Sequence, residues 1–171
     1  MNSTLNQKSV FSEIKGIEYF HFEDDFMENN IRCIPMIVRF KMDAAGIKLK
    51  LSEWNRFSSQ EKIELALMPV GATATARYQR HVTDLIEKHT AKTATALAID
   101  ADPEWNRLEC VPFILRQKAN EFDWEISKSQ WRDLTELQRF ALLKLCRPGH
   151  ENANFPKAMK EFNLTHQNAL L

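Results

Sequence analysis

Residues 32–67, RCIPMIVRFKMDAAGIKLKLSEWNRFSSQEKIELAL, and residues 109–144, ECVPFILRQKANEFDWEISKSQWRDLTELQRFALLK, lie on one another without a gap at an offset of 77. Cys33 meets Cys110, Pro35 meets Pro112, Ile37 meets Ile114, Arg39 meets Arg116, Lys41 meets Lys118, Ser52 meets Ser129, Trp54 meets Trp131 and Leu65 meets Leu142. With Asp25 on Asp102 and Asn29 on Asn106, ten identities fall in the 44 positions from 25 to 68. Changes such as Lys62 to Arg139 and Ser58 to Thr135 keep their chemical character. Two amphipathic stretches sharing a period by accident would not place a Cys-x-Pro, an Arg-x-Lys and a Ser-x-Trp at one offset, so the spacing reads as an internal repeat. Counting outward gives a lead-in of residues 1–17, expected to be partly disordered, a first unit at 18–94 and a second at 95–171.

Within each copy the local signals are helical. Pro35 and Pro112 stand where a helix can begin, because a first-turn proline loses no hydrogen bond and has its φ already set. Gly46 is placed to end the first of these helices, and the second copy lacks the glycine. GIKLKL and DWEISK alternate like strands, but helices bound them so closely that extended linkers are the better reading than a strand pair between the copies. Ser52 and Ser129 are expected to cap short helices that turn Trp54 and Trp131 toward the core. Ser58-x-x-Glu61 and Thr135-x-x-Gln138 match the capping box, which predicts helices over 59–68 and 136–146 with Ile63, Leu65 and Leu67, or Phe140, Leu142, Leu143 and Leu145, as candidates for burial. A longer helix over 72–89 should bury Tyr78, Val82, Leu85 and Ile86, and a shorter one over 156–162 should end near Asn163. Asp102-Pro103 reads as the cap and first turn of a short helix reaching Leu108. The expected fold class is therefore all-α, a single domain of two tandem helical half-domains related by a pseudo-twofold axis and sharing one core.

A chain of 171 residues, 44% hydrophobic and 27% charged, is long enough to fold around a core without disulfides or a structural metal. Lys plus Arg total 23 and Asp plus Glu total 23, so no bulk field draws in nucleic acid or anionic lipid, and neither is expected as a partner. No apolar run approaches the roughly 18 residues of a membrane helix, and the start lacks a signal peptide's apolar segment; the cytoplasm is the expected compartment. Three cysteines, an odd number, fit thiols in a reducing environment.

Four groups of residues carry candidate chemistry. Cys33 and Cys110 each precede a helix start; packing is the leading reading, with a reactive thiol or a metal ligand as alternatives. Cys146 falls on Pro69 and gains no partner from the repeat. Arg39 with Lys41, repeated as Arg116 with Lys118, is the best polar signal: either each arginine ties its helix to an acid such as Asp25 or Asp102, or the pairs form an anion or partner site. The histidines His21, His81, His89, His150 and His166 have no ligand spacing, so no metal is expected, and no cofactor motif is present. Glu23, Asp24, Asp25 and Glu28 read as a solvated negative patch, and Trp54, Trp131, Trp105 and Trp124 as core anchors.

The passage over residues 22–67, and above all IRCIPMIVRFKMDAAGIKLKLSEWNRFS, resembles the nitrate reductase associated proteins of cyanobacteria and some other bacteria. That resemblance implies a small soluble protein whose gene lies near those for nitrate reductase and molybdopterin synthesis; it carries over no catalytic residue. The function expected from it is a noncatalytic accessory or adaptor protein of nitrate assimilation, binding a protein of that pathway or a small anionic effector. The alternative is an enzyme or molybdopterin-handling factor that uses the duplicated Arg and Cys positions for an anionic ligand. If the protein self-associates, a homodimer is the expected form.

Overall fold

In a computed structural model of the chain, residues 8–24, 33–148 and 153–166 are described. They divide into two compact units, Met1–Asp100 and Ala101–Leu171. Unit one contains α1 (Lys8–Glu13), a 3-10 turn (His21–Glu23), α2 (Met36–Ala45), α3 (Leu51–Trp54), α4 (Ser59–Leu67) and α5 (Ala74–Thr90). Unit two contains a 3-10 turn (Glu104–Asn106), α6 (Phe113–Asn120), α7 (Lys128–Asp133), α8 (Glu136–Leu145) and α9 (Phe155–Glu161). The fold is all-α: among the described residues the extended backbone of unit one makes a lone bridge, Ile47 to Ala96, in place of a sheet.

Three helix starts recur at the 77-residue offset. Met36 and Phe113, Leu51 and Lys128, and Ser59 and Glu136 each open a helix 77 residues apart. Both predicted capping boxes form: Ser58 Oγ accepts from Glu61 N while Glu61 Oε2 accepts from Ser58 N, and Thr135 and Gln138 repeat the exchange. Each box satisfies two amides that the first helical turn leaves without a partner. At the end of α2, Gly46 turns left-handed at φ 69°, with Ile47 N donating to Met42 O at 3.1 Å. At the matching place in unit two the same turn forms without a glycine: Asp123 adopts φ 58°, and Trp124 N donates to Ala119 O at 3.1 Å. Asp tolerates that conformation better than most side chains. Glycine is required in the first copy because a Cβ on Gly46 would lie 3.0 Å from Ile99 Cγ1 and 3.1 Å from the Leu97 carbonyl.

The extended segments pair inside their own units. Lys48 N donates to Thr95 O, Leu97 N donates to Gly46 O, and in unit two Glu125 N donates to His166 O. Ser52 and Ser129 correct the capping expectation, since both lie within their helices. The true cap of α7 is Ser127, whose hydroxyl accepts from Gln130 N while Gln130 Oε1 accepts from Ser127 N. At the matching place in unit one, Glu53 Oε2 accepts from Lys50 N at 2.8 Å. The cap must stand three residues before its partner, and the serines marked by the repeat are two positions too late.

Burial in unit one follows the helical period. Tyr78, Val82, Leu85 and Ile86 form the inner face of α5, as the spacing predicts, and pack in one cluster with Val38, Met42, Trp54 and Leu65. Tyr78 Oη donates to Leu65 O at 3.0 Å. Phe11, in the lead-in, is also buried in this cluster. Leu67, a candidate for burial by its spacing, is exposed, because it closes α4 on the side opposite Leu65 and Ala66. In unit two α8 is buried almost all round, at Leu137, Phe140, Ala141, Leu142, Leu143 and Leu145, and it contacts α6, α9 and the 3-10 turn. Trp54 and Trp131 are 0% exposed, whereas Trp105 and Trp124 keep an edge in solvent.

The corrected caps give a direct test. Ser127→Ala should lower stability to urea by about 1 kcal/mol, while Ser129→Ala, which removes only the exposed hydroxyl 3.0 Å from Ser127 Oγ and leaves the cap bond to Gln130 N in place, should cost less than about 0.5 kcal/mol.

Candidate functional site

The four cations singled out by the repeat occupy different environments. On α2, Arg39 Nε donates to Ile34 O at 2.9 Å. Lys41 is buried, and its Nζ donates to Ala66 O at 2.5 Å and Met68 O at 2.6 Å. It thereby satisfies carbonyls at the C-terminal end of α4, where a positive charge also complements the helix dipole. Burial pulls the Lys41 ammonium down to about 8. On α6, the Arg116 guanidinium stands 5.9 Å from the Phe113 ring centroid, and both side chains are exposed. Lys118 Nζ reaches Glu121 Oε2 at 2.7 Å, an ion pair with the residue that follows α6. The neighbouring helix ends also differ: α4 stops at Leu67 before Pro69, with the Ala66 and Met68 carbonyls held by Lys41, whereas α8 runs through Leu145, the counterpart of Met68.

Asp102 is paired with Arg107, at 2.8 Å from Nη2, and so is engaged within its own turn; Asp25 lies outside the described residues. Among the cysteines, which form no disulfide, Cys33 is half-buried, Cys110 exposed and Cys146 buried. The packing reading therefore fails for Cys110: Val111 and Pro112 take the inward positions before α6 and leave the thiol in solvent. Burial pushes the Cys146 thiol up to about 12, with Lys118 opposing and Glu121 adding to the shift.

Two groupings escape a reading of the sequence. The acidic run is not wholly solvated, since Glu23 is buried with Oε1 accepting from Met36 N at 2.7 Å and Oε2 from Phe20 N at 3.3 Å. Its carboxylate caps α2, whose preceding residue is a proline without a capping side chain. Asp24 accepts from Tyr19 Oη at 2.7 Å; Asp25 and Glu28 lie outside the described residues. The second grouping joins the start of α4 to the end of α5. Glu61 holds His89 Nε2 at 2.8 Å and Lys88 Nζ at 2.8 Å in addition to the Ser58 amide. Burial raises the Glu61 carboxyl, but the bonds from Lys88, Ser58 and His89 outweigh it and hold the group at about 2.

A cation over a buried indole recurs in both units. Lys62 Nζ lies 5.3 Å from the Trp54 ring centroid, and Arg139 Cζ lies 5.9 Å from that of Trp131. Arg139 also donates from Nε to Trp105 O at 2.6 Å and from Nη1 to Leu134 O, while Trp131 Nε1 donates to Arg107 O at 2.8 Å. The signal for this pairing is present in the sequence, as a Trp and a long cation eight residues apart in each copy. Of the other histidines, His81 Nε2 approaches Glu64 Oε2 at 3.4 Å, and His150 lies outside the described residues. Among the described residues no group of three or more His, Cys, Asp or Glu side chains could hold a metal ion, and no helix is long and apolar enough to cross a membrane.

A family model described as "Conserved nitrate reductase-associated protein" matches residues 19–162. No curated protein and no solved structure matches the chain.

The Glu61 junction predicts a pH dependence. Because its folded carboxyl titrates at about 2, below the ordinary 4.5, the stability it contributes is complete above pH 4.5 and is lost as pH falls through 2. Glu61→Gln should therefore be less stable than the parent by about 1 kcal/mol at pH 6. In urea titrations at successive pH values, the two proteins should converge between pH 4.5 and 2.

Proposed function

The chain belongs to the conserved nitrate reductase-associated family, and from that membership we propose that it is a noncatalytic accessory or adaptor protein of nitrate assimilation, acting in the cytoplasm by binding a protein partner or a small effector. The observation that carries this reading is the use made of buried charge. Glu23, Lys41, Glu53, Lys62 and Arg139 are the buried charged side chains among the described residues. Each is engaged with backbone amides, backbone carbonyls or an indole face of its own unit. Such groups hold helix ends and helix junctions in place; an acid–base or nucleophilic constellation would instead aim them at a common point where a reacting atom can sit. Recognition then falls to side chains on the surface.

The duplication belongs to the same proposal. What supports it is the common 77-residue spacing of three helix starts, the paired capping boxes and the paired left-handed turns at Gly46 and Asp123. An adaptor built from two copies of one helical unit has two versions of each surface, free to diverge.

Affinity purification of the tagged full-length chain from its native cell grown on nitrate, followed by mass spectrometry of bound protein and native mass spectrometry for small molecules, tests the reading. The expected result is recovery of a nitrate-assimilation protein, or of a stoichiometric small ligand, absent from cells grown on ammonium. Repeated recovery of the chain alone, or turnover of a substrate by the purified protein, would overturn it.

A further inference from the structure

We infer that the outer face of α6, with the residues just before it, is the contact surface between two copies of this chain. Phe113 is 64% exposed and Ile114 38%. At the equivalent place in unit one Met36 is only 4% exposed, and its amide is occupied by the Glu23 carboxylate. The helix explains which residues share the outer face. Leu115 and Ala119 turn inward, toward α8, and Phe113, Arg116, Gln117 and Asn120 stand together on the solvent side at spacings of three and four. A phenylalanine with an arginine stacked on it is the composition that interfaces favour and ordinary surfaces do not.

Charge decides the occupant. Exposed Glu109 stands before the apolar pair and exposed Arg116 beyond it, and neither has an ion-pair partner among the described residues. A strip with an acid at one end, a base at the other and an apolar middle is complementary to itself when turned end for end. A twofold contact requires that property, because each residue meets its partner's counterpart. Two copies packed antiparallel along α6 bring Phe113 and Ile114 together near the axis and set Glu109 of each against Arg116 of the other. A face of about two helical turns is small beside a permanent interface, so the dimer should be weak, with a dissociation constant on the order of 10 µM.

Sedimentation velocity from about 1 to about 200 µM reads the equilibrium. Phe113→Ser and Arg116→Glu should each weaken the dimer about tenfold or more, and thermal melts should stay unchanged because both side chains are exposed. The decisive arm mixes Glu109→Arg protein with Arg116→Glu protein. Each alone sets like charges face to face and should stay monomeric, whereas the mixture pairs opposite charges at both contacts and should dimerise within about threefold of the parent. A parent that stays monomeric throughout the range, a dimer indifferent to these substitutions, or a mixture that fails to associate would each overturn the inference. None of these outcomes depends on nitrate assimilation, so this result and that of the co-purification stand apart.

Discussion

Lys62 in unit one and Arg139 in unit two each carry a charge into the protein interior, where loss of hydration would cost several kcal/mol if nothing replaced the water. Both lay that charge over the face of a buried tryptophan, and Arg139 adds two backbone carbonyls. The indole supplies a negative face at no conformational cost because it is already locked by packing, and an attraction of about 1–2 kcal/mol is reasonable for a partly desolvated pair. The geometry also fixes backbone. Lys62 and Arg139 sit in the first turns of α4 and α8, Trp54 and Trp131 in the short helices before them, so one side-chain contact links successive helices in each unit. The capping boxes at Ser58 and Thr135 occupy the turn between.

Features whose two partners are near in sequence are legible from the order of residues alone. A capping box spans four residues, the inner face of α5 repeats with the helical period, and the end of α2 is marked by glycine; all three form where the sequence puts them. Less is legible where the partner is distant. Glu23 sits in a run of acids that a charge count assigns to solvent, yet its acceptor role is set by an amide 13 residues away. Lys41 and Lys118 are identical at the 77-residue offset, yet Lys41 finds its carbonyl 25 residues further on and Lys118 its carboxylate 3 residues on. Ser52 and Ser129 mislead for a different reason: the repeat flags positions that match, and the residue that caps α7 is not among them.

The same contrast separates the candidate surface from the scaffold. Identity at the 77-residue offset goes with a shared structural demand at Trp54 and Trp131, both fully buried, but not at Lys41 and Lys118, whose partners differ. Surroundings diverge elsewhere: Met36 is covered and Phe113 is not, and Arg39 holds a backbone carbonyl where Arg116 lies against an exposed ring. Arg39 and Arg116 stand out in the sequence for their sameness, and their relevance to recognition comes from how their surroundings differ.

The burial of Met36 at the start of α2 has a consequence for the valency of the proposed contact. Were the starts of α2 and α6 both open, each chain would offer two similar apolar faces, and pairing at one would leave the other free to take the next chain, the condition for open-ended filaments. Between these two helix starts, with Met36 covered and Phe113 exposed, the proposed contact has one such face per chain, and two chains would saturate each other. In the proposed dimer, this difference between the two helix starts is what would limit the assembly to two copies.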